Sequence, residues 1–338
     1  MKKKFCSIIL LVIILLSTGC GSSNYIQEKK NNRKTIVVYE ETGQNLQKNI
    51  LCQPENDSLY DLYQKYDKQL DVPLKDLPKC NEFKINSGKY QGLWDAFFVK
   101  PLAFLILKLG KLIHNYGVSV MLIGLLIRIV LLPFSKKTLK QSENMKKAGP
   151  ELQRLEKKYK DKTDNESMMA KSQEMMMIYK KYNISPFGSC LLAFIQLPLF
   201  FAFLQAINRV PAIFEDTFIH LKLGMTPWKG ISNHQYAYIL LIVLIILTTY
   251  FSFRDTMNQN TGNNEAEKQM QMTMKFMIII ISIASFSLPT AIALYWIVTN
   301  GFIIIQNKIL KKWIQLEESK PQLIKPTKNK LGNKKRGR

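Results

Sequence analysis

The chain has 338 residues, a hydrophobic fraction of 47% and a formal net charge of +23, yet its mean hydropathy is only −0.06. Apolar and basic residues are therefore segregated along the chain, a pattern typical of a membrane protein with several spans and charged loops. The chain has no His/Cys cluster at metal-ligand spacing and no P-loop, GxGxxG or GxSxG motif, which argues against a zinc site, an enzyme and an ATP-driven pump and predicts no cofactor.

The N-terminus has the features of a secretory leader. Lys2–Lys4 precede the apolar stretch Phe5–Leu16, which is short for a membrane span. The small residues of Ser17–Gly19 come directly before Cys20, as in a bacterial lipobox. We therefore predict a lipoprotein signal peptide over residues 1–19 and a lipid-modified Cys20 at the mature N-terminus. An uncleaved membrane anchor is the alternative.

Residues 20–90 are predicted to form a tether followed by a small extracytoplasmic appendage. Thr35–Tyr39 could form a short strand. Five apolar residues share one face of a predicted helix: Leu59, Leu62, Tyr63, Tyr66 and Leu70. Cys52 and Cys80 could form a disulfide if the segment is extracytoplasmic, and two free thiols are the alternative.

Residues 94–116 are apolar but interrupted by basic side chains. These side chains fall on one side of a helical wheel: Lys100, Lys108, Lys111 and His114. With Pro101 near its start, the segment resembles an amphipathic helix that lies in the membrane interface. A further membrane span is the alternative.

Five later segments are apolar enough to cross a membrane. They are residues 118–134, 187–207, 236–253, 274–288 and 290–310. The expected fold class is therefore an all-α polytopic membrane protein. We expect a five-transmembrane-helix bundle with an amphipathic interfacial helix and a cytoplasmic helical hairpin.

The distribution of charge predicts the orientation in the membrane. Residues 135–186 and the tail 311–338 are rich in Lys, whereas residues 208–235 carry few cations. The positive-inside rule places the two basic regions in the cytoplasm. Five spans then put the N-terminus outside, where a lipidated Cys20 also requires it, whereas a span over 94–116 would invert both basic regions. We expect a cell-membrane protein with its N-terminus anchored on the outer face and its C-terminus in the cytoplasm.

Residues 135–186 are predicted to form the cytoplasmic helical hairpin. Its first helix runs on from the first span, and its second covers Ser167–Tyr182. The second helix carries five methionines: Met168, Met169, Met175, Met176 and Met177. They could form a soft surface for apolar partners or pack between the two helices, and the sequence leaves both readings open.

Arg128 is the charged residue inside the first span. A charge at the centre of a membrane helix costs roughly 2.5–3.5 kcal/mol, so such a residue is a functional-site hypothesis. Gly117 and Gly124 lie within about 40° of it on the helix, which indicates either close helix packing or space for water. Because Phe134 at the end of the span is close, the Arg128 side chain could also snorkel to the headgroups.

Several strings resemble the YidC family of membrane protein insertases, in order, over about residues 90–312. They are Arg128 with Leu131–Pro133, Met145 with Gly149–Leu152, Lys157–Tyr159, Asn183–Cys190, Ile195–Ala202, and Leu294–Trp296 with Asn300 and Gln306. A lipoprotein leader before five spans is similar to the Gram-positive form. Ala291 and Leu241 depart from the family, which has Gly and Pro there. Residues 21–90 lie outside the resemblance.

The resemblance implies an insertase core over residues 91–310. Such a protein inserts hydrophobic segments of newly made proteins into the membrane, alone or with the Sec translocon, and needs no nucleotide. It implies a hydrophilic groove in which Arg128 attracts acidic parts of the substrate. Gln196, Tyr295 and Trp296 are expected to line the groove, although Trp296 could equally serve helix packing or anchor at the interface.

The expected partners are nascent membrane proteins, membrane lipids, the Sec translocon and, through the basic tail, the ribosome. Anionic lipid is the alternative partner of the tail. Two other classes of function compete. A small-solute transporter or anion channel would use Arg128 for selectivity and predicts paired repeats, which we do not find in the sequence. A structural lipoprotein scaffold predicts that Arg128→Ala is harmless.

Overall fold

The computed structural model describes residues 24–30, 33–162, 164–185, 188–259 and 265–319. For residues 188–197, 255–259, 265–270, 273 and 318 it describes the main chain alone. The predicted signal peptide, Cys20 and the basic tail from residue 320 lie outside the described residues. The part of the chain that the structure describes is mostly helical, as expected, with three short two-stranded antiparallel sheets.

The appendage, residues 24–90, has a small apolar core of its own. Its elements are β1 (Gln27–Lys30), β2 (Arg33–Ile36), β3 (Val38–Tyr39), β4 (Gln44–Asn45) and α1 (Asp57–Lys65). The Asn56 side chain caps α1 by accepting a hydrogen bond from the Leu59 amide at 3.0 Å, which satisfies one of its first N–H groups. Leu59 and Tyr63 point from α1 into the core. The strand predicted over Thr35–Tyr39 is divided between β2 and β3.

The described residues after position 90 form a helical bundle with a hairpin. Its elements are α2 (Lys100–Ile113), α3 (Tyr116–Val130), α4 (Leu132–Lys158), α5 (Asn165–Lys181), α6 (Gly188–Asn208), α7 (Pro211–Glu215), β5 (Thr217–Phe218), β6 (Leu221–Lys222), α8 (Pro227–Ser232), α9 (Ala237–Gln259), α10 (Glu265–Ala284) and α11 (Thr290–Ser319). The helix α3 packs against α2 and α11, and α9 packs against α10 and α11. We call the end where α3 and α11 begin the appendage end.

Two helices among the described residues are long and apolar enough to cross a membrane, within Ala237–Arg254 and Thr290–Glu317. The bent pair formed by α3 and α4 is a third candidate, and the parts of α6 and α10 whose side chains are described, Pro198–Asn208 and Met274–Ala284, are also apolar. The chain is thus a helical membrane protein, and the count of five spans stays a prediction.

The first helix of the hairpin does not run straight on from the first span, which corrects the expectation. The axes of α3 and α4 differ by 59°, and the break falls at Leu131. Pro133 lies in the first turn of α4. Since proline has no N–H to continue the hydrogen bonds of α3 and its ring clashes with the preceding turn, a break is favoured there.

Two reciprocal carboxylate contacts join α4 and α5 in the hairpin. Glu174 accepts hydrogen bonds from Lys158 at 2.6 Å and from the Tyr159 hydroxyl at 2.9 Å. Glu151 likewise accepts from Lys181 and from the Tyr182 hydroxyl, the latter at 2.9 Å. The methionines of α5 are mostly exposed, except that Met175 packs against α4 residues. Packing between the helices therefore does not account for most of them.

The helix α2 is amphipathic, but one of its cations is not on the exposed side. Lys108 and Lys111 are exposed, whereas Lys100 is buried. The Lys100 ammonium donates to the backbone carbonyls of Ser87 at 2.7 Å and Lys89 at 3.2 Å. A helical wheel gives only the angular position of a side chain around the helix axis. It therefore could not show that the appendage covers Lys100.

Candidate functional site

Arg128 lies in the last turn of α3 and points into the bundle. Its residue surface is only 8% exposed, whereas its neighbours Ile129 and Val130 are 54% and 66% exposed. A side chain that snorkels to headgroups would be exposed, so this arrangement disfavours snorkelling. The exposed apolar neighbours are suited to face lipid, and the guanidinium is directed to the other side of the helix.

The face of α3 that carries Arg128 is closely packed against α11. A Cβ atom added at Gly124 would lie 2.9 Å from Tyr295 Cδ2 and 3.1 Å from Thr299 Cγ2. One added at Gly117 would lie 3.2 Å from Leu223 Cδ2. Of the two readings of these glycines, close packing is therefore the one the structure favours at both positions.

Tyr295 of α11 contacts both this face of α3 and the helix α6. It is 3% exposed, and its ring stacks on Phe203 of α6 with a centroid distance of 4.3 Å. Its side chain is close enough to Arg128 for an electrostatic interaction. Because Arg128 follows Gly124 by one helical turn, the guanidinium and the Tyr295 ring belong to one buried cluster.

Trp296 belongs to a second set of contacts, on the side of α11 that faces α9. Its indole N–H donates to the Thr249 hydroxyl at 2.9 Å, and the Asn300 amide donates to the same oxygen at 3.2 Å. The Trp296 ring also meets Phe200 edge-on, with centroids 4.8 Å apart. These contacts hold α6, α9 and α11 together, so Trp296 serves helix packing in this structure.

The structure adds Ser252 and Gln306 to the polar residues buried in the bundle. The Ser252 hydroxyl donates to the Thr249 carbonyl at 2.9 Å. The side-chain oxygen of Gln306 is buried and has no hydrogen-bond partner among the described residues. Helical spacing could have indicated Gln306, because Tyr295, Thr299 and Gln306 fall within about 40° on one face of α11.

The remaining residues of interest lie elsewhere or are not described. Gln196 is in α6, but its side chain is outside the described part of the chain, so its place in a groove stays a prediction. The structure joins Cys52 to Cys80 by a disulfide with Cα atoms 4.8 Å apart. This disulfide lies at the appendage end of the bundle and not beside Arg128.

The cluster can attract negative and hydrogen-bonding groups. A guanidinium offers five N–H donors in a planar fork and stays charged. In surroundings less polar than water its attraction for a carboxylate is stronger than at a surface. The hydroxyl groups of Tyr295 and Thr299, whose side chains pack against the same face of α3 at Gly124, provide further polar atoms.

Comparisons with known proteins agree with the resemblance of the sequence. A family model described as 60Kd inner membrane protein matches residues 108–318. Membrane protein insertase YidC 2 of Bacillus anthracis is 35% identical over 228 residues, which cover 66% of this chain and 83% of the relative. Membrane protein insertase MisCA of Bacillus subtilis (strain 168) is 34% identical over 219 residues, which cover 64% of this chain and 79% of the relative.

The chain is also similar to a solved structure, "Active YidC insertase crystal structure with the first transmembrane domain resolved". It is 25% identical, with a TM-score of 0.46, and the match covers 67% of this chain and 48% of that chain. The chain thus spans about half the length of that solved protein. Because the family model matches well over half of the chain, this protein belongs to the family of the 60Kd inner membrane protein and the YidC membrane protein insertases.

Proposed function

We propose that this protein inserts hydrophobic segments of newly made proteins into the cell membrane and that Arg128 draws acidic, polar parts of the substrate into the bundle. The observation that carries the proposal is a guanidinium buried inside the bundle at 8% exposure, beside Tyr295, on a helix whose other side is apolar and exposed. The names of the relatives supply the class of function.

The physical problem of insertion is the polar part of the substrate. A hydrocarbon core of about 30 Å leaves polar groups without hydrogen-bond partners. Polar atoms and a fixed positive charge within the bundle reduce that cost for a short acidic tail. The apolar segment of the substrate then enters lipid because burial of apolar surface is favourable. Arg128, Gln196, Tyr295 and Trp296 are the proposed contacts.

The proposed orientation and partners follow from charge. The hairpin and the basic tail are placed in the cytoplasm, and a lipid-anchored N-terminus on the outer face. The substrates are nascent membrane proteins, which the protein inserts alone or with the Sec translocon. The tail after residue 310 is the proposed contact with the ribosome, because its cations suit RNA phosphate, with anionic lipid as the competing partner.

The test uses cells depleted of the wild-type protein and a single-span substrate with an acidic tail. We expect Arg128→Ala to lose most of the insertion activity and Arg128→Lys to keep much of it, because a positive charge is what the mechanism needs. Arg154→Ala is the matched control, since Arg154 is an exposed arginine of the hairpin. Full insertion with Arg128→Ala at normal protein levels would reject the charged-groove mechanism.

Photo-crosslinking tests the contacts of the groove. A crosslinker at position 196 or 296 should capture nascent chains, and one at the exposed apolar position Ile283 of α10 serves as the control. Absence of crosslinks from both 196 and 296 would remove these residues from the proposed contacts of the substrate.

The alternative function, a small-solute transporter or anion channel, is not favoured by the names of the relatives. It predicts Arg128-dependent solute flux into vesicles.

A further inference from the structure

The appendage precedes the matched family segment, yet it is fastened to the bundle through a buried arginine. Arg209, directly after α6, is 2% exposed. Its guanidinium donates to Asp95 Oδ1 at 2.9 Å, to the Asn49 carbonyl at 2.7 Å and to the Gln91 side chain. In return the Leu51 amide donates to the Arg209 carbonyl at 2.8 Å. One side chain thus joins the end of α6, the segment that precedes α2 and the appendage.

Further contacts fasten the appendage to the loop between α6 and α9, residues 209–236. The Glu215 carboxylate accepts hydrogen bonds from the amides of Glu55 and Asn56, at 3.1 and 3.2 Å. The Thr226 amide donates to the Thr42 carbonyl at 3.0 Å. Next to it, Gly43 has a φ of +78°, and a Cβ atom added there would lie 3.0 Å from Thr226 Oγ1 and 3.1 Å from Lys229 Cβ, so the two segments are closely packed.

The same loop closes the appendage end of the bundle with apolar side chains. Leu223 is 0% exposed and packs at Gly117 of α3. The backbone of the loop also holds the start of α11: the Ala291 amide donates to the Leu223 carbonyl at 2.9 Å. The Thr290 amide and hydroxyl donate to the Met225 carbonyl at 3.0 and 2.8 Å. The loop therefore fills the space between the first turns of α3 and α11.

The Cys52–Cys80 disulfide lies where the appendage meets the closed end of the bundle. Leu51, Cys52, Cys80 and Phe83 belong to the apolar cluster of the bundle, whereas most of the other core residues of the appendage form a separate cluster. The bond joins the two appendage segments that rest on the bundle. The disulfide is therefore positioned to hold the appendage against the helices.

We propose that residues 24–90 act as a clamp that holds the loop 209–236 as an apolar plug over the appendage end of α3 and α11, with Arg209 as its positioning residue. The closure keeps water out of that end of the bundle. The Cys52–Cys80 disulfide keeps the two contacting segments of the clamp together. This role does not depend on the proposed insertion activity, because it concerns the accessibility of buried positions.

The test measures thiol labelling of the purified full-length protein in lipid nanodiscs. Ala291→Cys places a small probe directly beneath the plug, at a position that is 0% exposed. Labelling by a water-soluble maleimide is followed by mass spectrometry of the peptide that contains residue 291. We expect slow labelling with the clamp intact and an increase in rate of tenfold or more when Arg209→Leu is added. Replacement of both Cys52 and Cys80 by Ser should also increase the rate.

Two controls separate an opened plug from general unfolding. Tyr66→Phe removes a hydrogen bond to Glu28 inside the appendage and should leave the rate unchanged. In the Arg209→Leu background, Ala148→Cys, at a buried position of the hairpin, should stay protected. If Arg209→Leu does not fold, the milder Glu215→Ala takes its place with a smaller expected increase. Parent-like labelling of position 291 in every folded clamp variant would overturn the proposal, as would equal exposure of position 148.

Discussion

The ring of Tyr295 lies directly against Gly124, where an added Cβ atom would come within 2.9 Å of Cδ2. Because Tyr295 is itself stacked on Phe203, the ring has little freedom to move away. We predict that Gly124→Ala is less stable, by about 1–3 kcal/mol, than a protein with the same change at an unpacked helical glycine, since overpacking is costly. Thermal unfolding in detergent measures the change.

The matched control for this substitution is Gly301→Ala, in α11. No atom lies within 4 Å of a Cβ atom added there, and alanine favours a helix over glycine by about 1 kcal/mol. Its unfolding midpoint should equal or exceed that of the parent. If Gly124→Ala raises the unfolding midpoint as much as the control does, α3 and α11 do not pack as closely as proposed.

A second prediction concerns Thr249, whose hydroxyl accepts from both Trp296 and Asn300. Thr249→Val leaves the buried Asn300 amide without this acceptor, at a cost of roughly 1–3 kcal/mol, and also removes the acceptor of the partly buried Trp296 N–H. The neighbouring Thr248 bonds only to carbonyls of its own helix among the described contacts, at Leu244 and Ile245. Thr248→Val should therefore be close to neutral, and unfolding midpoints of the two variants test the difference.

The disulfide is expected to stabilise the appendage. Cys52 and Cys80 are 28 residues apart, and closing a loop of this length contributes about 3–4 kcal/mol by restricting the unfolded chain. Cys52→Ser with Cys80→Ser should make the appendage sensitive to limited proteolysis, while the bundle helices stay resistant. Equal resistance of the parent and the variant would show that the appendage does not depend on the bond.

The hairpin should open in acid. Hydrogen bonds from Lys181 and Tyr182 hold the pKa of Glu151 below its ordinary value, and those from Lys158 and Tyr159 do the same for the pKa of Glu174. A carboxyl with a lowered pKa in the folded state stabilises it above the pKa of the unfolded state. That stabilisation is lost as the pH falls through the folded pKa. The α4–α5 contact should therefore weaken below about pH 4.

Distance measurements between labels on α4 and α5 can follow this opening. Replacing both Glu151 and Glu174 by Gln should remove the acid transition, because neither side chain then titrates. Glu143→Gln is the control, since Glu143 pairs with Lys146 of its own helix at 3.4 Å. An acid transition that persists in the double variant would assign it to other groups.

The hairpin illustrates how much local patterns can predict. Its two helices, and the end of the second near Tyr182, follow from apolar spacing and a proline at position 186. The reciprocal contacts of Glu151 and Glu174 do not, because each carboxylate meets a Lys–Tyr pair on the other helix. The bend at Leu131 was also missed, although Pro133 signals it, because the apolar run continues across it.

The sequence by itself determined that this is a helical membrane protein of the insertase family with an arginine in an apolar span, because segregation of charge and contiguous strings are properties of the chain. The tertiary structure decided that Arg128 turns inward and that the Tyr295 ring packs against Gly124. It also decided that the appendage covers Lys100 and Arg209. Periodicity states which face of a helix a residue occupies. Which neighbour fills that face depends on segments far away in the chain, and only their packing reveals it.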